Sequence, residues 1–158
     1  MKKLFISLVA VMAMAFSANA QFYAGGGLGL AVVSSGESTA AFVLSPEFGY
    51  DISEKLAAGA SLEIAATPFT FAFNPYFRWK FAGINSVKFF TDFTLSLGSA
   101  GKAFMWGISV MPGMSFDITP KFSFVTRVAS IGVIGAGGGA AFRLNLLSSG
   151  TVGFFYHF

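Results

Sequence analysis

Apolar and polar positions alternate with a period of two along most of this chain after Gln21. That is the pattern of β-strands, whose successive side chains point to opposite faces. The clearest stretch is 69–81, where Phe69, Phe71, Phe73, Pro75, Phe77, Trp79 and Phe81 share one face. Thr70, Ala72, Asn74, Tyr76, Arg78 and Lys80 share the other. Residues 87–98 repeat it, with Val87, Phe89, Thr91, Phe93, Leu95 and Leu97 opposed to Lys88, Phe90, Asp92, Thr94, Ser96 and Gly98. A helical period would mix these sets. The same reading predicts eight strands, at roughly 22–33, 40–50, 56–66, 69–81, 87–98, 104–116, 122–131 and 149–158.

The connections predicted between these strands alternate in character. Asp51–Lys55, Ala82–Ser86 and Asp117–Lys121 are short, and Tyr50–Leu56 parallels Phe116–Phe122 in sequence. In both of these, an Asp followed two residues later by Ser or Thr predicts a turn closed by side-chain to backbone bonds. At the opposite end lie polar Ser34–Thr39, then Thr67–Pro68, Ser99–Ala103, and a longer, Gly-rich connection over 132–148, within which Gly135–Ala140 is expected to be a flexible loop. Pro46, Pro75 and Pro112 fall inside strands two, four and six, where each removes a ladder donor. They are read as bulges or places where pairing starts.

Composition decides where such strands can live. Hydrophobic residues make up 54% of the chain and charged residues only 11%, against about 25% charged in an average soluble domain. After the N-terminus no run approaches the ~20 apolar residues of a spanning helix. Strands cross hydrocarbon only as a closed barrel, because lipid cannot satisfy backbone polar groups. Residues 1–20 read separately. Lys2-Lys3, the apolar Leu4–Phe16 and the small-residue site Ser17-Ala18-Asn19-Ala20 predict a cleaved signal peptide, leaving 21–158 as the barrel domain. Without Lys2 and Lys3, 8 basic residues face 7 acidic ones, with no basic cluster to bind nucleic acid. The chain has no cysteine, so there is no disulfide framework to infer.

Residue size selects the face that meets lipid. Tyr23, Gly25, Gly27, Gly29 and Ala31 in strand one, and Ala57, Gly59, Ser61, Glu63 and Ala65 in strand three, are mostly small. Small residues suit the crowded interior of a narrow barrel. Bulky Phe, Leu, Val and Trp occupy the other face. Phe48, Tyr50, Trp79, Phe81, Phe116, Phe122 and Tyr156 gather near the short turns, and Phe42, Phe69, Phe104 and Trp106 near the other end. This matches two interfacial girdles. The alternative, a secreted soluble lipid-carrying barrel with inverted faces, would leave the Phe-rich surface in water.

The last residues, Gly153-Phe154-Phe155-Tyr156-His157-Phe158, resemble the C-terminal assembly signal of bacterial outer-membrane barrels. Gly153, Tyr156 and Phe158 fit that signal, while Val152 stands where a polar residue is usual. Asn74–Trp79 and Val87–Gly98 also look like strands four and five of the small OmpA/OmpX-type outer-membrane barrel family. By pattern the resemblance covers residues 21–158. It implies an all-β, eight-stranded antiparallel transmembrane up-and-down barrel in the outer membrane, with both termini in the periplasm and four loops outside. It further implies outer-membrane lipid as surroundings, and insertion by the barrel assembly machinery through the C-terminal strand. It implies no particular activity, because the fold hosts several.

The inward face is expected to hold Glu47, Glu63, Arg78, Lys88, Asp92 and Arg127. Charges in a low-dielectric interior are costly unless paired, so this mix of signs predicts a salt-bridged network that plugs the lumen. The alternative is a small solute pore lined by the same groups. His157 is the only histidine and is expected at the interior or the periplasmic mouth. As a catalytic base it would need a nucleophile at its own depth, and Ser149 lies eight residues away, roughly 26 Å along an extended strand. Gly135–Ala140 has the letters of a dinucleotide loop but no following helix or acidic partner. With one histidine and no cysteine, the carboxylates are too scattered for a metal site. The expectation is a non-enzymatic barrel without cofactor, in a structural or surface-interaction role.

Overall fold

The computed structural model describes residues 22–35, 37–66, 69–100, 103–136, 138–146 and 152–158. The segment read as a signal peptide lies outside the described residues. The strands are β1 (Phe22–Ser35), β2 (Glu37–Asp51), β3 (Leu56–Ala66), β4 (Phe69–Ile84), β5 (Val87–Ala100), β6 (Ala103–Thr119), β7 (Phe122–Arg127), β8 (Ala129–Ala136), β9 (Gly139–Leu146) and β10 (Val152–His157). Strands β1 to β6 pair antiparallel in chain order. β6 pairs with β7 near the short turns and with β8 farther along. β10 lies between β7 and β1 and closes the sheet on itself. With β7 and β8 as the two halves of one wall and β9 and β10 forming the next, the result is a closed antiparallel eight-stranded barrel.

Strands four to six run longer than the alternation predicts, and two predicted loops are strand. Ser34 and Ser35 belong to β1 and Glu37–Thr39 to β2, paired as Ser34↔Ser38 and Ser35↔Glu37. The Gly-rich 132–148 connection is a hairpin, with β8 and β9 paired from Ala129↔Leu146 to Ala136↔Gly139 and Gly138 at φ +89° in the turn. Two physical facts hid it. A bulge at Val128 reverses the phase, so Ser123 and Val125 point inward from β7 whereas Gly132 and Ile134 do so from β8. And Gly135 is required by packing, because a Cβ there would overlap the indole of its cross-strand partner Trp106.

The same device fills the interior. Tyr23 pairs with Gly49, Tyr76 with Gly59, Phe90 with Gly113 and Phe155 with Gly25. At each glycine an added Cβ would meet the partner's ring. A narrow barrel can turn aromatic rings inward only where the neighbouring strand supplies no side chain. Outward, Phe42, Phe48, Phe69, Phe77, Trp79, Phe93, Phe104, Trp106 and Phe116 are all exposed, forming a continuous apolar belt.

The prolines sit mid-strand rather than at strand starts. Each keeps its register with the preceding strand, as Gly26↔Pro46, Ala60↔Pro75 and Thr91↔Pro112. Each interrupts the ladder on its other side, where Ser45-Pro46, Asn74-Pro75 and Met111-Pro112 have no paired residue. The missing N–H therefore costs one side of the sheet only. Only Pro112 adjoins a bulge, and its carbonyl accepts a hydrogen bond from Val128 N–H at 3.0 Å.

The two repeated turns close as expected in part. Ser53 Oγ accepts from the N–H groups of Lys55 and Leu56 at 3.4 and 3.2 Å, and Thr119 Oγ1 accepts from Lys121 N–H at 3.3 Å. Asp51 and Asp117 instead turn into the barrel mouth. The third short turn tightens to Asn85-Ser86, with Asn85 at φ 53°, a left-handed conformation that asparagine tolerates.

Candidate functional site: the barrel interior

Four of the six charges expected inside meet as a ring. Arg78 on β4 donates through Nε and Nη2 to both oxygens of its cross-strand partner Asp92 on β5, at 2.7 and 2.8 Å. Arg127 on β7 donates through Nε to Asp92 Oδ2 at 2.9 Å, and through Nη1 and Nη2 to Glu47 on β2 at 3.0 and 2.9 Å. Arg78 Nη2 completes the circuit to Glu47 Oε1 at 3.5 Å. Two acids and two bases from four strands thus cancel, and Asp92 is fully buried. Fork-shaped guanidinium groups suit this task, since each can hold two carboxylates at once.

The ring rests on aromatic side chains. The Arg78 guanidinium lies 4.0 Å from the centre of the Phe90 ring and 5.2 Å from that of Tyr76. The hydroxyls of Tyr23 and Tyr76 are 2.7 Å apart, and Phe155 packs edge-on against Tyr23. These groups are buried and span the lumen. Next to them, towards the short turns, a cavity of about 70 Å³ is bounded by Arg78, Phe90 and Phe155 and by polar groups of the mouth. There Lys80 pairs with Asp51 and Lys88 with Asp117, both at 2.7 Å.

The other two expected charges stand apart from the ring. Lys88 belongs to the mouth, where its pair with Asp117 is partly exposed. Glu63 lies toward the opposite end, exposed, and accepts from Asn74 Nδ2 at 3.3 Å. Sequence reading missed Asp51, Lys80 and Asp117 as mouth residues. It also missed Arg143, which the Gly132↔Arg143 register places on the inward face of β9. The parity of strand four already carried Lys80. Arg143 was out of reach without the bulge at Val128.

His157 hydrogen-bonds Ser123 on β7, with Oγ and Nε2 2.9 Å apart. The serine at the depth of His157 thus comes from a neighbouring strand, and Ser149 lies outside the described residues. Among the described residues no carboxylate hydrogen-bonds the imidazole, and Asp51 and Asp117 are engaged by lysines. The pair therefore lacks the orienting acid of a catalytic triad. At the C-terminus Gly153 is buried between Gly27 and Val125, while Tyr156 and Phe158 face outward with their rings 5.2 Å apart.

A closed eight-stranded barrel with an apolar belt outside and paired charges inside has the architecture of the small outer-membrane β-barrels. No family model matches the chain, and no curated protein matches it by sequence. Among solved structures it is similar to Neisserial surface protein A, with a TM-score of 0.60 and 16% identity over 88% of this chain and 97% of that one. It is also similar to the outer membrane protein Ail of Yersinia pestis in a phospholipid bilayer nanodisc, with a TM-score of 0.51 and 11% identity over 89% and 100% of the two chains. At these identities the likeness is one of fold.

Proposed function

We propose that this chain is a non-enzymatic integral outer-membrane barrel whose interior is sealed, serving a structural or surface-interaction role. The observation that supports this reading is the Glu47–Arg78–Asp92–Arg127 ring seated on Tyr23, Tyr76 and Phe90, side chains from five strands that meet inside the barrel. Outer-membrane lipid is the partner of the apolar belt. The turns at 52–55, 85–86 and 120–121 face the periplasm with both termini, after removal of residues 1–20. The neighbours in fold, a surface protein and an outer membrane protein, support that location.

Two experiments test the reading. Unboiled protein from the outer-membrane fraction should migrate as a compact band on a denaturing gel and shift on boiling; a soluble periplasmic protein with no shift would restore the carrier reading. Refolded protein in planar bilayers should give no reproducible unitary conductance. Steps that vanish in Arg78→Gln would instead make the ring the filter of a small pore.

The C-terminal strand is proposed to direct assembly through Gly153, Tyr156 and Phe158. Phe158→Asp should leave export intact and lower the amount of protein in the outer membrane several-fold, measured by fractionation and immunoblot. Unchanged yield would remove the signal from this segment.

A further inference from the structure

The half of the lumen away from the short turns carries a second polar constellation. Among the described residues, the inward charges of the ring and of the mouth all form ion pairs, whereas Glu63 on β3 and Arg143 on β9 form none. The Glu63 carboxylate is exposed, and the pair Glu63↔Ala72 puts it on the inward face of β3. Two side-chain oxygens with no hydrogen-bond partner flank it. They are Ser45 Oγ on β2 and Asn74 Oδ1 on β4, both on residues 6% exposed. The pairs Leu44↔Ile64 and Glu47↔Ser61 set Ser45 opposite Glu63, and Asn74 reaches Glu63 directly through Nδ2. Ser45 and Asn74 each precede a proline at a ladder gap.

We propose that Glu63, Asn74 and Ser45 form a binding site for a primary ammonium group entering from the loop end. The constellation offers acceptors on three adjacent strands: a carboxylate, an amide oxygen and a hydroxyl oxygen. Asn74 donates its N–H to Glu63, which commits its Oδ1 as a remaining acceptor. A primary ammonium brings three N–H donors and a positive charge, one donor for each oxygen. A calcium ion is poorly served, since it takes six to eight oxygen ligands, and among the described residues of this constellation Glu63 is the one carboxylate. A quaternary ammonium has no N–H and would leave Ser45 and Asn74 unsatisfied. The site is independent of whether the ring below it seals the lumen.

The test uses the full chain, isotopically labelled and refolded in phosphatidylcholine nanodiscs, titrated with ethanolammonium chloride and, at matched ionic strength, with tetramethylammonium chloride. The Asn74 side-chain amide should shift saturably with ethanolammonium and not with tetramethylammonium. The apparent affinity should fall at least fivefold in Glu63→Gln and in Ser45→Ala, and stay unchanged in Glu54→Gln on the exposed turn. Nanodiscs containing phosphatidylethanolamine, without free amine, separate the sources. A shifted Asn74 amide there assigns the site to a lipid headgroup, and a shift only with the soluble amine assigns it to a free amine. A shift that does not saturate, that persists in Glu63→Gln, or that tetramethylammonium reproduces overturns the proposal.

Discussion

Asp92→Ala should destabilise the folded barrel by about 3–5 kcal/mol, the range for removing one partner from a buried ion pair. Asp92 is fully buried and accepts three charge-assisted hydrogen bonds, two from Arg78 and one from Arg127. Its loss leaves two guanidinium groups sharing Glu47 alone, so one excess positive charge stays in a medium that solvates it poorly. The ring as a whole is a different matter, since desolvating four ions offsets much of their attraction. The large effect is expected from breaking it, not from its presence. Lys88→Met at the mouth provides the contrast, because its pair with Asp117 is partly solvated and should contribute about 0–1 kcal/mol. Urea unfolding in micelles, followed by the fluorescence of Trp79 and Trp106, reads both. A loss below about 1 kcal/mol for Asp92→Ala would mean that water reaches the ring.

Phe93→Arg should cost about 2–4 kcal/mol in a bilayer, the penalty for arginine on the lipid face near the midplane. Phe93 lies midway along β5, is 48% exposed, and pairs with Phe77 and Val110 on the same outward face. Phe116→Arg, close to the turn at 120–121, should cost only about 0–1 kcal/mol, because a side chain there reaches the headgroups. The ratio matters more than either value. Equal and small costs would show that the Phe-rich face is in water, which is the prediction of a soluble barrel with inverted faces. Folding titrations into liposomes of defined thickness provide the measurement.

The opposite outcomes for residues 69–98 and for the glycine-rich 132–148 connection show how far pattern reading reaches. Residues 69–81 and 87–98 were legible because alternation there is nearly unbroken, and strands β4 and β5 contain them entirely. Around 132–148 the same method failed. One inserted residue at Val128 shifted the phase, and Gly135, the seat for Trp106, looked like a loop residue. The inward parity of Glu47, Arg78, Asp92 and Arg127 was likewise readable, but their meeting was not. Arg127 and Glu47 are 80 residues apart and come together only because β10 closes the sheet between β7 and β1. Glu63 and Lys88 share that parity yet sit at different depths, which strand register and tilt decide and composition does not.

By itself, then, the sequence determined most of the strand content and the two faces of each strand, because period-two alternation and residue size act locally along the chain. Only the tertiary structure decided which inward groups touch. The pairing of Ser123 with His157, the separation of the mouth, the aromatic groups, the ionic ring and Glu63 along the lumen, and the conversion of a glycine-rich connection into a hairpin all depend on register. Register is set by bulges, proline gaps and barrel closure acting between strands distant in the chain.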